Sequence, residues 1–185
     1  MPRLRKARAK IVALFVAVPA LVVGVGASTA SAAGNYYFLK SVNSANECLA
    51  VGAASTNNGA GVIQWDCVAG AAEQYWSLNA LPTKVVGGET YYHIVNLHST
   101  AVRGTPMCLA VPGGTTAWNT QLMQWPCGDW NDHWWKLVPN PQRGGWGLKN
   151  LNGLCAGVGG SSHTSGAAVV QWECTAGAEQ TWYQP

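Results

Sequence analysis

The sequence predicts an all-β protein made of three copies of one unit, and three observations carry that reading. Six cysteines fall into pairs of one spacing: Cys48 and Cys67, Cys108 and Cys127, and Cys155 and Cys174 each lie 19 positions apart. Aligned on those pairs, CLAVGAASTNNGAGVIQWDC, CLAVPGGTTAWNTQLMQWPC and CAGVGGSSHTSGAAVVQWEC share C-x-x-V at the start and Q-W-x-C at the end. Short alternating stretches such as Tyr37-Phe38-Leu39-Lys40, Tyr92-His93-Ile94-Val95 and Val62-Ile63-Gln64-Trp65 are bounded by Gly, Asn, Ser and Thr, and no window after residue 32 sustains a helical period.

The chain begins with Arg3, Arg5, Lys6, Arg8 and Lys10, followed by an apolar run from Ile11 to Ala27 and the small residues Ser28-Thr29-Ala30-Ser31-Ala32. A positive head, an apolar middle and a small-residue end are the pattern of a secretory signal, expected here over residues 1–32. The competing reading is a membrane anchor; the run is short for a bilayer span and contains Pro19, Gly24 and Gly26. No second apolar run of spanning length follows, so a soluble, secreted, extracellular product is expected, with no membrane contact after cleavage. Residues 33–185 then form one domain. They hold six Lys and Arg against all eight Asp and Glu, a net charge of −2. That balance excludes a phosphate-reading nucleic-acid binder, which needs clustered cations.

Within 33–185 the repeat accounts for each further element. The openings YFLKSVNS from Tyr37, YHIVNLHS from Tyr92 and WGLKNLNG from Trp146 start 55 and 54 residues apart. The closing segments EQYW, DHWW and EQTW end at Trp76, Trp135 and Trp182. The copies therefore run over about 36–84, 91–140 and 145–185, and units of this kind are stabilised by stacking on one another. Asn57-Asn58-Gly59, Pro112-Gly113-Gly114 and Gly159-Gly160-Ser161 are expected to mark turns at equivalent places. Many short strands joined by such turns indicate a sandwich or a closed barrel. Six cysteines allow fifteen pairings. The repeat symmetry selects closure within each unit, Cys48 with Cys67, Cys108 with Cys127 and Cys155 with Cys174, each contributing about 3 kcal/mol in the chain-entropy account. No C-x-x-C or matching histidine spacing points to a metal, and no cofactor is implied.

On these residues the chain resembles the ricin B-type lectin domains, the β-trefoils of Q-x-W repeats, over residues 36 to 185. The third element of the pattern is Gln74-Tyr75-Trp76, His133-Trp134-Trp135 and Gln180-Thr181-Trp182. The resemblance implies a pseudo-threefold barrel capped by hairpins, with up to one shallow sugar pocket per repeat. It implies a pocket aromatic at Trp65, Trp125 and Trp172, and a polar pair at Glu73 with Gln74, Asp132 with His133, and Glu179 with Gln180. The family aspartate is missing, since Ala50, Ala110 and Gly157 hold its places. A carboxylate in a sugar site takes charge-assisted hydrogen bonds from adjacent hydroxyls, so its loss removes the usual anchor. Glu73, Asp132 and Glu179 stand where the family often has asparagine, either as a relocated acceptor or as solvated turn residues.

Two points stay open at this stage. Neighbours on a strand face opposite sides, so either the tryptophans of the Q-W doublets face out and Gln64, Gln124 and Gln171 are buried amides, or the reverse. Trp76, Trp135 and Trp182 are assigned to core packing in both cases. The middle repeat also carries Trp118 in place of Asn58 and Ser165, and Trp130 in place of Gly70 and Gly177. With Trp125, Trp134 and Trp135 they are too many indoles for one core. This unit is therefore expected to hold the best site, with Asp129, Asn131, Asp132 and His133 beside its aromatics.

Function narrows accordingly. Only 14 of the 153 residues after position 32 are charged, a surface suited to an uncharged polysaccharide or glycan partner. An enzyme is not expected: the acids repeat with the units and form no unique flanking pair, and His93, His98, His133 and His163 show no nucleophile or metal spacing. The expectation is a monomeric, non-catalytic lectin for galactose- or xylose-containing polysaccharide. The alternative is a trefoil that has lost sugar binding and serves as a secreted protein-interaction or inhibitor module.

Overall fold

Each cysteine pair closes a hairpin, and the three hairpins have one register. In the first repeat Glu47–Val51 pairs with Val62–Asp66, in the middle Met107–Ala110 with Met123–Pro126, and in the third Cys155–Val158 with Val169–Trp172. Cys48 lies opposite Trp65, Cys108 opposite Trp125 and Cys155 opposite Trp172. All three disulfides form within their repeats, with Cα atoms 5.0 to 5.1 Å apart. The structure is a computed structural model that describes residues 34–185. The expected signal segment, residues 1–32, lies outside the described residues.

The strands form a five-stranded and a nine-stranded antiparallel sheet, with a small separate ribbon of Lys84–Val86 and Glu89–Tyr91. Bridges Gly61 to Met123 and Ile63 to Ala168 join sheet edges into a nearly closed barrel. Closure matters because it pairs backbone groups that an open edge would leave free.

The core is the repeat seen from inside. Its fifteen buried apolar residues are five triplets: Leu39, Ile94 and Leu148; Leu49, Leu109 and Ala156; Val51, Val111 and Val158; Val62, Leu122 and Val169; Trp76, Trp135 and Trp182. The last triplet packs as expected, and burial obliges each indole N–H to find an acceptor. The three donate to the carbonyls of Leu49, Leu109 and Ala156 at 2.8, 3.0 and 3.2 Å, each the residue after a repeat's first cysteine.

Two local readings are corrected. A seven-residue α-helix, Leu97–Arg103, interrupts the middle repeat; Asn96 caps it by accepting from the Ser99 amide, and Gly104 ends it at φ 66°. Two helical turns are too short to show a period, so caps alone announce this helix. The turn equivalent to Pro112–Gly114 and Gly159–Ser161 is Gly52–Ala54, not Asn57-Asn58-Gly59. Its signal is hidden because Ala53 and Ala54, at φ 53° and 49°, hold the left-handed conformation usually left to glycine.

The Q-W glutamines bind the repeats into a ring. Gln64, Gln124 and Gln171 are fully buried, and each sends its amide N–H groups into the repeat before its own. Gln124 donates to Ser55 and Asn57 of the first repeat, Gln171 to Thr115 and Ala117 of the middle repeat, and Gln64 to Ser162 and Thr164 of the third, all at 2.7 to 3.0 Å. Gln124 also accepts from the Ser99 hydroxyl of the helix, so the helical insertion braces the same loop. Gln124→Leu removes three hydrogen bonds, those to the carbonyls of Ser55 and Asn57 and that from the Ser99 hydroxyl, and leaves only the longer contacts of Ser99 with Ser55 and of the Ala60 amide with Asn57; a loss of about 2 kcal/mol, read as a lower urea midpoint, is the expected result. An unchanged midpoint would show that this clamp is not structural.

Candidate functional site

Burying the glutamines turns their neighbours outward, because adjacent strand residues face opposite sides. Trp65, Trp125 and Trp172 are accordingly 47%, 36% and 38% exposed, which settles the open choice in favour of outward tryptophans. Each stands beside the clamped loop of the preceding repeat. A Cβ at Gly59 would lie 3.9 Å from the Trp125 ring, and one at Gly166 3.5 Å from the Trp65 ring. The third member of that set is Asn119, at φ 59°, which lines the pocket of Trp172. Each of these tryptophans thus has a neighbour from the repeat before its own.

In the middle repeat a pocket of about 590 Å³ is lined by Val111, Pro112, Gly113, Gly114, Met123, Trp125, Trp130, Asp132 and His133. Asp132 is a buried group rather than a solvated turn residue, only 5% exposed. Its Oδ2 accepts the Val111 amide at 3.0 Å, which places the carboxylate next to Ala110, where the family aspartate is missing. Among the described residues no protein group donates to Oδ1. That oxygen faces Gly114, where a Cβ would approach it to 3.3 Å and φ is 61°, so glycine keeps it open. Trp130 is 56% exposed and lies 4.9 Å from the His133 ring. Within one pocket the arrangement supplies an acceptor for hydroxyls and two indoles, with no lysine or arginine in its lining.

The third repeat has a pocket of about 380 Å³ lined by Asn119, Gly157 to Ser161, Val170, Trp172, Glu179 and Gln180. Gly157 shows why the family aspartate is absent here: even a Cβ would come within 2.7 Å of the Gln180 side chain and 3.2 Å of the Glu179 carbonyl oxygen. Glu179 is half-buried and accepts from the Thr175 hydroxyl at 3.2 Å. Trp118, expected in the middle repeat's cluster, instead packs against Trp172, with ring centroids 5.2 Å apart. Its loop is clamped by Gln171, so it serves the next pocket along. The first repeat offers Trp65 and half-buried Glu73, without a second exposed indole beside them.

Gln74 and Gln180, expected at the sites, have their amides engaged as loop clamps, and Gln180 also lines the third repeat's pocket. Both are buried; Gln74 accepts from the Val68 amide and donates to Asp66, and Gln180 accepts from Thr175 and donates to Glu173. The two ends of each amide hold the chain on either side of the second cysteine. His133 replaces this clamp in the middle repeat and leaves its Nδ1 buried without a partner among the described residues, while its Nε2 lies 3.6 Å from Asp132 Oδ2. Trp134 is spent on structure too. It is buried, donates to Asp129 at 2.8 Å and packs on His93 at 3.8 Å. Lys84 reaches the same Asp129 oxygen at 2.6 Å and holds that carboxyl below the usual range. The register of Trp134 on the opposite face from core Trp135 was the signal that could have separated these two neighbours.

The family models agree with this architecture. One, described as the ricin-type β-trefoil lectin domain-like family, matches residues 25–125, and a second, the ricin-type β-trefoil lectin domain, matches residues 95–185. The chain belongs to the ricin-type β-trefoil lectin family. Its fold is shared with the designed threefold-symmetric protein ThreeFoil, at 29% identity and TM-score 0.68, over 80% of this chain and 96% of that one. An exo-β-1,3-galactanase from Clostridium thermocellum matches at 25% identity and TM-score 0.67, over 80% of this chain but 29% of the larger enzyme. The C-half of an earthworm R-type lectin, solved with GalNAc, shows the same fold at 16% identity and TM-score 0.56, over 80% of this chain and 96% of that one. A comparison with curated proteins finds no match. Membership makes this ricin-type chain a carbohydrate-binding module.

The two histidines give the ricin-type domain a pH dependence. Burial pushes both His93 and His133 below the ordinary 6.5, with Asp132 opposing the shift at His133. Nε2 of His93 donates to the Gly128 carbonyl at 3.1 Å and its Nδ1 is buried without a partner among the described residues. The unfolded chain takes up these protons before the folded one, so their contribution is complete above about pH 6.5 and is lost as pH falls through the depressed folded values. Buried Glu47, whose carboxyl burial pushes up, acts in the opposite sense above pH 4.5. The urea midpoint should therefore drop between pH 7.5 and pH 5, and the drop should shrink in His93→Gln/His133→Gln. An equal drop in that variant would assign the effect to other groups.

Proposed function

We propose that this protein is a secreted, monomeric, non-catalytic lectin that holds neutral polysaccharide on its outward tryptophans, with the middle repeat as the principal site. The observation that carries the reading is Asp132: a buried carboxylate with one oxygen fixed by Val111 and the other open, beside Trp125 and Trp130. Sugars need both parts, an acceptor for adjacent hydroxyls and an indole face for their C–H surface. Burial holds His133 neutral at pH 7, so the pocket carries the charge of Asp132 without a fixed cation beside it. Such a pocket favours uncharged hydroxyl-rich ligands over acidic ones.

Galactose- or xylose-containing polymers are the ligand class we assign. The likeness to a galactan-cleaving enzyme supports the first of these. Several shallow pockets on one chain raise retention on a polymer above the affinity of any single one. Export is supported by the signal-like pattern of residues 1–32 and by three disulfides, which persist in oxidising compartments. The missing family aspartates at Ala50, Ala110 and Gly157 favour the second reading, a secreted protein-contact module, and binding decides between them.

Retention on insoluble arabinogalactan and xylan, released by one free sugar, is the expected outcome. Trp125→Ala and Asp132→Asn should each weaken it about tenfold, the size of one lost charge-assisted hydrogen bond or stacking contact. Asp66→Asn should not. Failure of the parent protein on a glycan array and on both polymers would overturn the lectin reading in favour of protein contact, while equal effects of Asp132→Asn and Asp66→Asn would remove Asp132 from the site.

A further inference from the structure

We propose that the third repeat's site binds two consecutive sugar residues of a neutral polysaccharide, one in the pocket against Trp172 and the next on Trp118, lent by the middle repeat. The inference rests on the carbohydrate reading above and extends it to the length and charge of the ligand.

Trp118 stands at the position of Asn58 and Ser165, in the loop that each repeat passes to its neighbour. Gln171 donates to Thr115 and Ala117 on the near side of it, the Thr120 hydroxyl donates to Ala117 at 2.7 Å, and the Asn119 amide donates to the Gln171 carbonyl at 2.9 Å. Four hydrogen bonds fix the backbone on both sides of Trp118. The indole is therefore presented by an ordered loop, which lowers the entropy cost of binding on it. Yet the side chain is 53% exposed. Half an indole left in water serves no packing purpose that the asparagine and serine of the sister repeats fail to serve, and apolar area of that size is unfavourable in water unless it is covered.

The geometry with Trp172 sets the size of the ligand. The two rings lie in contact, with centroids 5.2 Å apart and planes tilted by 44°, and each keeps indole surface in solvent, Trp118 at 53% and Trp172 at 38% exposure. One pyranose ring covers about one indole face. A ligand covering both faces has two linked rings, the second turned relative to the first. The middle repeat differs: Trp130 comes from its own loop and lines the same single pocket as Trp125, with no indole lent by a neighbour. The first repeat has Ser165 at the lending position, whose hydroxyl is taken by Glu47 at 2.7 Å.

Charge sets the class. The third pocket's lining contains Glu179 and no lysine or arginine. Hydroxyls of a neutral sugar can donate to that carboxylate, whereas a uronic acid would bring a second negative charge beside it. The lining also includes the glycine-rich turn Gly159–Ser161 and Asn119, short groups that leave room for a ring.

The test isolates this site in Trp65→Ala/Trp125→Ala, which removes the exposed indoles of the other two repeats. Calorimetric titration then compares galactose with β-1,3-galactobiose, xylose with xylobiose, and digalacturonate as the acidic probe. The expected result is a disaccharide bound about tenfold more tightly than its monosaccharide, one added ring on one added indole. Adding Trp118→Ala should lower disaccharide affinity by about that factor and bring the ratio close to one. Trp172→Ala should remove binding of both, and digalacturonate should bind at least tenfold more weakly than the neutral disaccharide. A ratio near one before Trp118 is removed, a ratio that survives Trp118→Ala, or equal binding of digalacturonate would each overturn the proposal while sugar binding itself stands. If the unmutated protein binds none of these sugars, the carbohydrate reading falls first and this proposal with it.

Discussion

Three buried amides decide most of what this molecule presents to its surroundings. Gln64, Gln124 and Gln171 each fasten a loop of the preceding repeat through a pair of hydrogen bonds to backbone carbonyls. A buried amide left unpaired would be costly, so satisfying it fixes which face of the strand points inward. Once the glutamine is inward, the next residue must be outward. Trp65, Trp125 and Trp172 are exposed for that reason, and the loops that flank them are in place for the same reason. Stability and site geometry thus share one set of contacts.

The sequence made the repeat, the disulfides and the inner tryptophans legible because all three depend on spacing alone. Alternation placed Gln64 and Trp65 on opposite faces, yet period two cannot say which face is inside. The deciding partners are carbonyls of Ser162 and Thr164, about a hundred residues away and without side-chain identity. Trp118 was read with the wrong pocket on similar grounds: its place in the sequence belongs to the middle repeat, and its place in space belongs to the third. The helix Leu97–Arg103 was missed because two turns held by Asn96 and Gly104 carry no periodic signal. Gln74 and Gln180 resembled ligand groups through family position, and only their bonds to backbone on both ends show them as clamps.

The middle repeat departs most from its sisters, and the departure is concentrated where a ligand would sit. His133 gives up the amide clamp that Gln74 and Gln180 make, and its Nδ1 is buried with no partner. An unsatisfied buried nitrogen is destabilising by itself. What stands beside it is Asp132, drawn in to the Val111 amide and to the neighbourhood of the missing aspartate. Glu47 Oε2, Gln64 Oε1 and His93 Nδ1 are likewise buried without a partner among the described residues, but His133 is the one of these that lines a pocket with an acid beside it, and a local break at a site is associated with function more than with folding. The two other repeats keep their clamps and carry their acids, Glu73 and Glu179, in half-buried positions.

The passing of loops from one repeat to the next runs in a circle, because the third repeat lends to the first. Every unit is at once a lender and a borrower, so a single unit on its own would have neither its amide satisfied nor its outward tryptophan flanked by a borrowed loop. Three unlinked copies could satisfy one another in the same ring, each with an identical pocket. Joining them in one chain removes that identity requirement: a change in one lending loop alters one pocket and leaves the other two as they were. Trp118 is a change of this kind, Trp130 is a change in its own repeat's loop, and together they leave three different surfaces on a scaffold that a symmetric assembly would have been obliged to keep alike.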